Sequence, residues 1–260
     1  MSQTSWWEWS QGVVSNLQHS IFSLTKPSQS NNADFLRAYI KEHGEETFRN
    51  NPWALTAAIE DFASTGKHLM IFKEPKLKIA REALESLPTK PKLIIEFGTY
   101  VGNSAIAWGA ILQGLHGPNA AEKGCRVYTF ELDPIMVRLS RDLVQLAGLD
   151  EIVHVLEGPA SESLRKLYNE GKVTAGDVDM AFIDHWEEYY LADLQLCEEL
   201  SVFHKGSLVV ADNTDFPGAP KYLEYVRSGG SGAVRYESEG YTSQTKRGPS
   251  VVEISTVVEV

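Results

Sequence analysis

The sequence predicts an α/β protein built on a doubly wound, mostly parallel sheet. From Lys92 onward, short apolar runs alternate with helical patterns, as successive βαβ units do. One of these runs, 93–97, leads into Gly98 and Gly102 and then into the apolar, helix-dense stretch 104–112. Most of the strand candidates in this alternation also end in an acidic or small residue, at the sheet edge where open α/β folds bind ligands.

Taken in order, Trp6, Trp7, Trp9, Val13, Val14, Leu17, Ile21, Phe22 and Leu24 recur at helical spacing and form an amphipathic face. That face suits a membrane surface, a partner, the chain's own domain or a dimer mate. No Lys or Arg precedes Lys26, which weakens the lipid reading. Residues 25–32 are rich in Ser, Asn, Gln and Pro and read as a linker. A helix is expected from near Asp34. Another starts at Asn51-Pro52, an N-cap followed by a first-turn proline, and stops near Gly66. A third opens at Pro75 and ends before Pro88.

Seven strand candidates follow, at 93–97, 126–131, 152–156, 178–184, 207–212, 233–238 and 251–260, with helical patterns at 134–146, 161–168 and 190–203. The last two strands have a Gly/Ser/Lys-rich connection and no helix between them, which predicts an antiparallel hairpin closing the C-terminal edge. Residues 1–50 are expected to form a helical extension and 51–260 the sheet domain. Monomer and homodimer, the latter joined through the N-terminal helix, both remain open.

Composition narrows the function. The 260 residues are 43% hydrophobic and 23% charged, with a formal charge of −11. That balance argues against a nucleic-acid partner, which needs clustered cations. Cys125 and Cys197 lie far apart without a C-x-x-C, so neither a disulfide framework nor a zinc site is expected. No signal peptide and no stretch long enough to cross a membrane is apparent. A cytoplasmic enzyme is therefore the default expectation.

The first strand and its turn read E-x-G-x-x-x-G across Glu96, Gly98 and Gly102. This is neither the dinucleotide G-x-G-x-x-G nor the phosphate-loop G-x-x-x-x-G-K-[ST]. Such a turn delivers backbone N–H groups and a helix N-terminus to a ligand, and a side chain at Gly98 is expected to stand where that ligand lies. Glu131 ends the second strand. It reads as an acceptor for both hydroxyls of a ribose, or as a solvated strand-end carboxylate. Asp184, Asp212 and Asn213 end two consecutive strands. They are hard oxygen ligands suited to Mg²⁺, or a pair of helix-capping aspartates with a neighbouring amide.

Four segments together carry a resemblance: E-F-G-T-Y-V-G-N-S at 96–104, F-E-L-D-P at 130–134, D-H-W at 184–186, and A-D-N at 211–213 followed by P-G-A-P at 217–220. In this order they resemble catechol O-methyltransferase, over roughly residues 54–227. The resemblance implies a Rossmann-like class I methyltransferase fold, S-adenosylmethionine as methyl donor, and Mg²⁺. It places Glu96, Gly98, Tyr100 and Ser104 at the methionine end of the donor and Glu131 on the ribose. Phe72, Leu132, Ala160, Ser161 and Asp184 join the donor contacts, with Gly158 to Ser161 bordering the adenine; Ala160 stands where the family has a serine. Asp184, Asp212 and Asn213 would hold Mg²⁺. Met70, Trp186 and Pro217 would wall a flat aromatic substrate that also meets Asn213, and Glu239 is the candidate for the substrate-orienting glutamate.

One departure falls at the catalytic position. Where the family carries a lysine directly after the tryptophan, this chain has Glu187. An ammonium there stabilises a developing phenolate, whereas a carboxylate repels it, and beside Mg²⁺ it is a weak base. Glu187 is left with three roles: a place in the metal shell, a partner for a cationic group on the substrate, or a solvated side chain. Three functions follow, in order: a Mg²⁺-dependent O-methyltransferase for catechol-like aromatics, a methyltransferase for a non-catechol phenol or an amine, and a non-catalytic cofactor-binding homologue.

Overall fold

The computed structural model describes residues 29–66, 69–230, 232–245 and 248–260. The tryptophan-rich stretch 6–24, with the contacts expected of it, lies outside the described residues.

The chain enters through α1 (Gln29–Glu42), a single turn α2 (Glu45–Phe48), α3 (Pro52–Ser64) and α4 (Lys76–Glu85). The Asn51 side chain accepts from the Ala54 N–H at the start of α3, as the Asn-Pro pair predicts. Helix α1 begins at Gln29, inside the stretch that composition assigns to a linker. Its first turn is held by tertiary contact: Asn32, Ala33 and Leu36 are buried, and α1 packs on α6. Packing outweighs the weak helix propensity of Ser and Asn there.

The sheet then alternates with helices: β1 (Leu93–Phe97), α5 (Asn103–His116), β2 (Arg126–Glu131), α6 (Pro134–Leu146), β3 (Val153–Glu157), α7 (Ala160–Asn169), β4 (Val178–Ile183), α8 (Tyr190–Glu199), β5 (Phe203–Ala211), α9 (Pro220–Arg227), β6 (Arg235–Thr245) and β7 (Gly248–Glu259). The strand order is β3-β2-β1-β4-β5-β7-β6. The first five strands are parallel, and β7 runs antiparallel between β5 and β6. This is the doubly wound sheet with a closing hairpin that the sequence predicts. The hairpin strands are longer than expected, because the polar residues from Glu239 to Gln244 pair with β7 instead of looping. The helical pattern at 190–203 is also shorter than read, stopping at Glu199, and β5 starts at Phe203.

Two apolar layers enclose the sheet. Ile94, Val127, Met180, Phe182 and Val210 face α1, α3, α4, α5 and α6. Ile95, Phe97, Phe130, Ile183 and Ala211 face α7, α8 and α9. Strand side chains alternate between faces, so Glu96 points the same way as Ile94 and lies beneath Trp108 of α5. That placement, rather than any surface role, makes Glu96 fully buried.

Candidate active site

All the chemistry-bearing strand ends fall on one edge. The reversal of strand order lies between β1 and β4, where open α/β sheets form a ligand crevice. Gly98 follows β1 with φ +102° and Gly102 precedes α5 with φ +86°, backbone regions that favour glycine. A Cβ built on Gly98 would lie 2.5 Å from the backbone oxygen of Asp184 and 3.0 Å from the His185 Cβ. The expectation for Gly98 is therefore corrected. The glycine is required because the chain leaving β4 crosses directly over it, and the clash is with the protein's own backbone.

The β1–β2 side of the crevice presents two carboxylates. Glu131 accepts from the Tyr100 N–H at 2.7 Å and the Asp133 N–H at 2.8 Å, one bond to each carboxylate oxygen. These neutral donors fix the carboxylate while leaving lone pairs free for further donors. Glu96 accepts from the Trp108 indole N–H at 3.2 Å, and its other oxygen has no hydrogen-bond partner among the described residues. Burial pushes its carboxyl up to about 7, against the opposing pull of the Ser104 and Thr129 hydroxyls and of Trp108. The Ser104 and Thr129 hydroxyls lie close enough to favour its charged form, but neither meets that second oxygen in hydrogen-bond geometry, which leaves it short of a full partner. Beside the recess lined by Met70, Phe72, Gly98, Tyr100 and Ser104, it fits a cationic ligand group.

The β4–β5 side is more strongly charged. Asp184 follows β4 and Asp212 follows β5, and both carboxyls are shifted upward first by burial. For Asp184 the next cause is the negative charge of Asp212, and Glu96 and Glu187 act in the same sense. Asn213 adopts the left-handed conformation (φ 54°), which Asn tolerates better than most residues, and its amide nitrogen lies 3.4 Å from Asp184 Oδ1. The three metal candidates therefore converge. Opposing this negative charge is Lys76, whose ammonium donates to both oxygens of Asp212 at 2.6 and 2.5 Å.

Among the described residues no three His, Cys, Asp or Glu side chains group as a metal cluster. Two carboxylates and an amide that rotates end for end still suit a hard dication, which keeps several waters of its own. The negative charge of Asp212, Glu96 and Glu187, which adds to burial in raising Asp184 against the pull of Lys76, is what such a cation would relieve.

Comparison with known proteins accords with this geometry. Residues 84–224 match the O-methyltransferase family. The chain is 30% identical to catechol O-methyltransferase of Bos taurus over 80% of this chain and 70% of that one. It is 32% identical to catechol O-methyltransferase of Sus scrofa over 66% of this chain and 87% of that one. The chain belongs to the O-methyltransferase family. It is an enzyme of the S-adenosylmethionine-dependent, catechol O-methyltransferase-like kind. Among solved structures, the fold matches the O-methyltransferase of Bacillus cereus in complex with SAH, with TM-score 0.57 and 18% identity over 79% of this chain and 91% of that one. It also matches the O-methyltransferase TomG of Streptomyces achromogenes in complex with SAM, with TM-score 0.58 and 20% identity over 79% and 89%.

The remaining candidates of this O-methyltransferase divide. Ser104 is buried at the start of α5 beside Glu96. Tyr100 is half-buried, with its hydroxyl 3.3 Å from Asn32 of α1. Leu132 is exposed after β2, and Ala160 and Ser161 open α7. Phe72 lines the recess, but its ring packs into the core against Phe182 and Trp108, with centroids 4.7 and 6.0 Å away. Met70, Trp186 and Pro217 are exposed around the acidic end. Glu187 is half-buried in the turn after Trp186, where its charge reaches Asp184. Glu239 lies on the edge strand β6, separated from β5 by β7, and its carboxylate accepts from the Tyr241 hydroxyl at 2.9 Å.

Three residues escaped the sequence reading. Lys76 looks like one more lysine in a K-x-K helix. Tyr190 is a buried aromatic whose hydroxyl donates to the Asp212 carbonyl at 3.0 Å and holds that strand end in place. Phe216 is 83% exposed beside Pro217, and the turn carrying it touches the turn after Trp186. The signal that marks Phe216 in the sequence is a bulky aromatic next to the Pro217-Gly218 turn.

No helix among the described residues is long and apolar enough to cross a membrane.

Proposed function

We propose that this enzyme transfers a methyl group from S-adenosylmethionine to a hydroxyl of a small catechol-like aromatic held on Mg²⁺. The observation that carries the reading is the convergence of Asp184, Asp212 and Asn213, under excess negative charge, at the end of a crevice whose other side is built for a cationic, hydroxyl-rich ligand. Asp184, Asp212 and Asn213 would hold the metal. Bound there, it would orient two vicinal hydroxyls and make a phenolic proton easier to lose.

The chain's own residues then position the partners, which supplies much of the rate in a displacement of this kind. Glu96, with its orphaned oxygen, and Ser104 meet the amino-acid end of the donor, beside Gly98, Tyr100 and Phe72. Glu131, already fixed by two backbone N–H groups, accepts the ribose hydroxyls. Leu132, Ala160 and Ser161 border the adenine. Met70, Trp186 and Pro217 form apolar walls for the acceptor ring and exclude water from it.

Glu187 favours a second reading within the same chemistry. A carboxylate where the catechol enzymes carry lysine repels a phenolate and attracts an ammonium, so an acceptor bearing an amine, or a non-catechol phenol, competes with the simple catechol. Methyl transfer to a panel of catechols, with Mg²⁺ and with chelator, tests both readings, comparing the parent with Glu187→Lys. Metal-dependent transfer by the parent supports the first reading. Transfer only by the lysine variant supports the second.

A further inference from the structure

Lys76 opens α4, shortly after Met70, Ile71 and Phe72, which line the donor recess together with the glycine turn. Its side chain is 10% exposed and that of Asp212 is 3% exposed. Lysines are almost never buried unless paired, and this one is committed to a single carboxylate through both of its oxygens. A cation arriving between Asp184 and Asp212 meets a positive charge already seated on Asp212, and must either share that carboxylate with the ammonium or displace it. The ammonium is also tied to that lining segment. It lies 5.5 Å from the Phe72 ring centroid, and that ring packs on Trp108, whose indole donates to Glu96. The same segment is pinned where the Asn103 side chain donates to the Phe72 carbonyl at 3.0 Å and Glu60 accepts from the Glu74 N–H at 3.2 Å. A continuous line of contacts thus joins Asp212, Lys76, Phe72, Trp108 and Glu96, from the metal end of the crevice to the donor end.

We infer that Lys76 is a positioning residue, an internal cation that competes with the metal for Asp212 and thereby couples metal occupancy to the segment lining the donor recess. The inference rests on the Mg²⁺ reading given above. Lys76 keeps Asp212 compensated when no metal is present and lowers the affinity for the metal when one arrives. An ammonium displaced in this way acts on Phe72 and the recess. Contact alone does not establish coupling, so the test is thermodynamic.

Mg²⁺ is titrated calorimetrically, without acceptor, into the parent, Lys76→Gln, Lys76→Met and the double variant Lys76→Met/Asp212→Asn, each with and without S-adenosylhomocysteine. Lys76→Gln retains a donor for Asp212 and guards against misfolding of the methionine variant. The single variants are expected to bind Mg²⁺ at least about tenfold more tightly, because a positive charge a few ångströms from the site has been removed. The factor by which S-adenosylhomocysteine changes Mg²⁺ affinity in the parent should fall toward one in these variants, and linkage requires the same factor in reverse. The double variant should lose Mg²⁺ binding and keep S-adenosylhomocysteine binding. Binding of Mg²⁺ by the parent, with equal or weaker affinity in both single variants, overturns the inference and leaves the metal reading standing. Binding by the single variants alone supports the competition and denies the parent a resident metal. Silence from the parent and both single variants removes the metal reading and the inference together.

Discussion

At the β1–β2 end of the crevice, Glu131 is met by two backbone N–H groups and Glu96 by an indole N–H. At the β4–β5 end, Asp184 and Asp212 are met by each other's charge and by one lysine. Burial raises the carboxyls of Glu96, Asp184 and Asp212, but what surrounds them differs. Neutral donors hold a carboxylate in place without cancelling its charge, so that end keeps a fixed acceptor for hydroxyls and an ammonium. Paired carboxylates with partial compensation leave a negative field that calls for a cation. On the proposed reading, one strand-end pattern in the sequence serves two chemistries, separated by what the neighbouring elements bring to it.

The largest effect expected is at the charged end. Asp212→Ala should lower kcat/KM for a catechol by about a thousandfold, the upper end of the range for loss of one preorganised electrostatic contact. Donor affinity measured without metal should change far less. Equal losses in both would erase the distinction between the two ends. Next, Gly98→Ala should destabilise the fold by about 3 kcal/mol through backbone overlap and positive-φ strain, read by urea unfolding. A near-neutral result would mean that the chain over Gly98 moves aside easily.

Glu96 gives a pH signature. Its folded carboxyl titrates near 7 against an ordinary value of 4.5, so between those values the folded state holds the extra proton. Its contribution to the stability of the donor-free enzyme should therefore fall by about 3 kcal/mol as pH rises from 4.5 through 7 and level off above, and the raised carboxyls of Asp184 and Asp212 act in the same sense. Glu96→Gln should reduce that slope, whereas an unchanged slope would assign it to other groups. Glu131→Gln should weaken S-adenosylhomocysteine binding about ten- to a hundredfold, the range for a hydrogen bond to a charged group, with Mg²⁺ affinity unaltered. Smallest of all, Tyr100→Phe removes the Asn32 contact and should cost about 1 kcal/mol of stability.

The legible parts of the molecule were those with local signals. The run 93–97 with Gly98 and Gly102 announces a strand, turn and helix within a dozen residues, and Asn51-Pro52 announces a helix start that the structure shows capped by Asn51. What was missed depends on distance or on edges. Lys76 meets a partner 136 residues away, and nothing in its own helix marks it. The residues from Glu239 to Gln244 read as a connection because an edge strand needs no apolar alternation, and polar edge residues protect against unwanted pairing. Helix α1 starts early because Asn32 and Ala33 are buried against the domain, a reason invisible in its composition. Gly98 was recognised as essential, but its cause lies in the chain after β4, which only the fold brings overhead.

The most direct test of the account compares a catechol with its monohydroxy analogue as methyl acceptors, each assayed with Mg²⁺ and with chelator. Chelation by the β4–β5 end predicts efficient transfer to the catechol only with metal present, and at least about a thousandfold less to the analogue. Equal transfer to both acceptors, or transfer that survives the chelator, would contradict it.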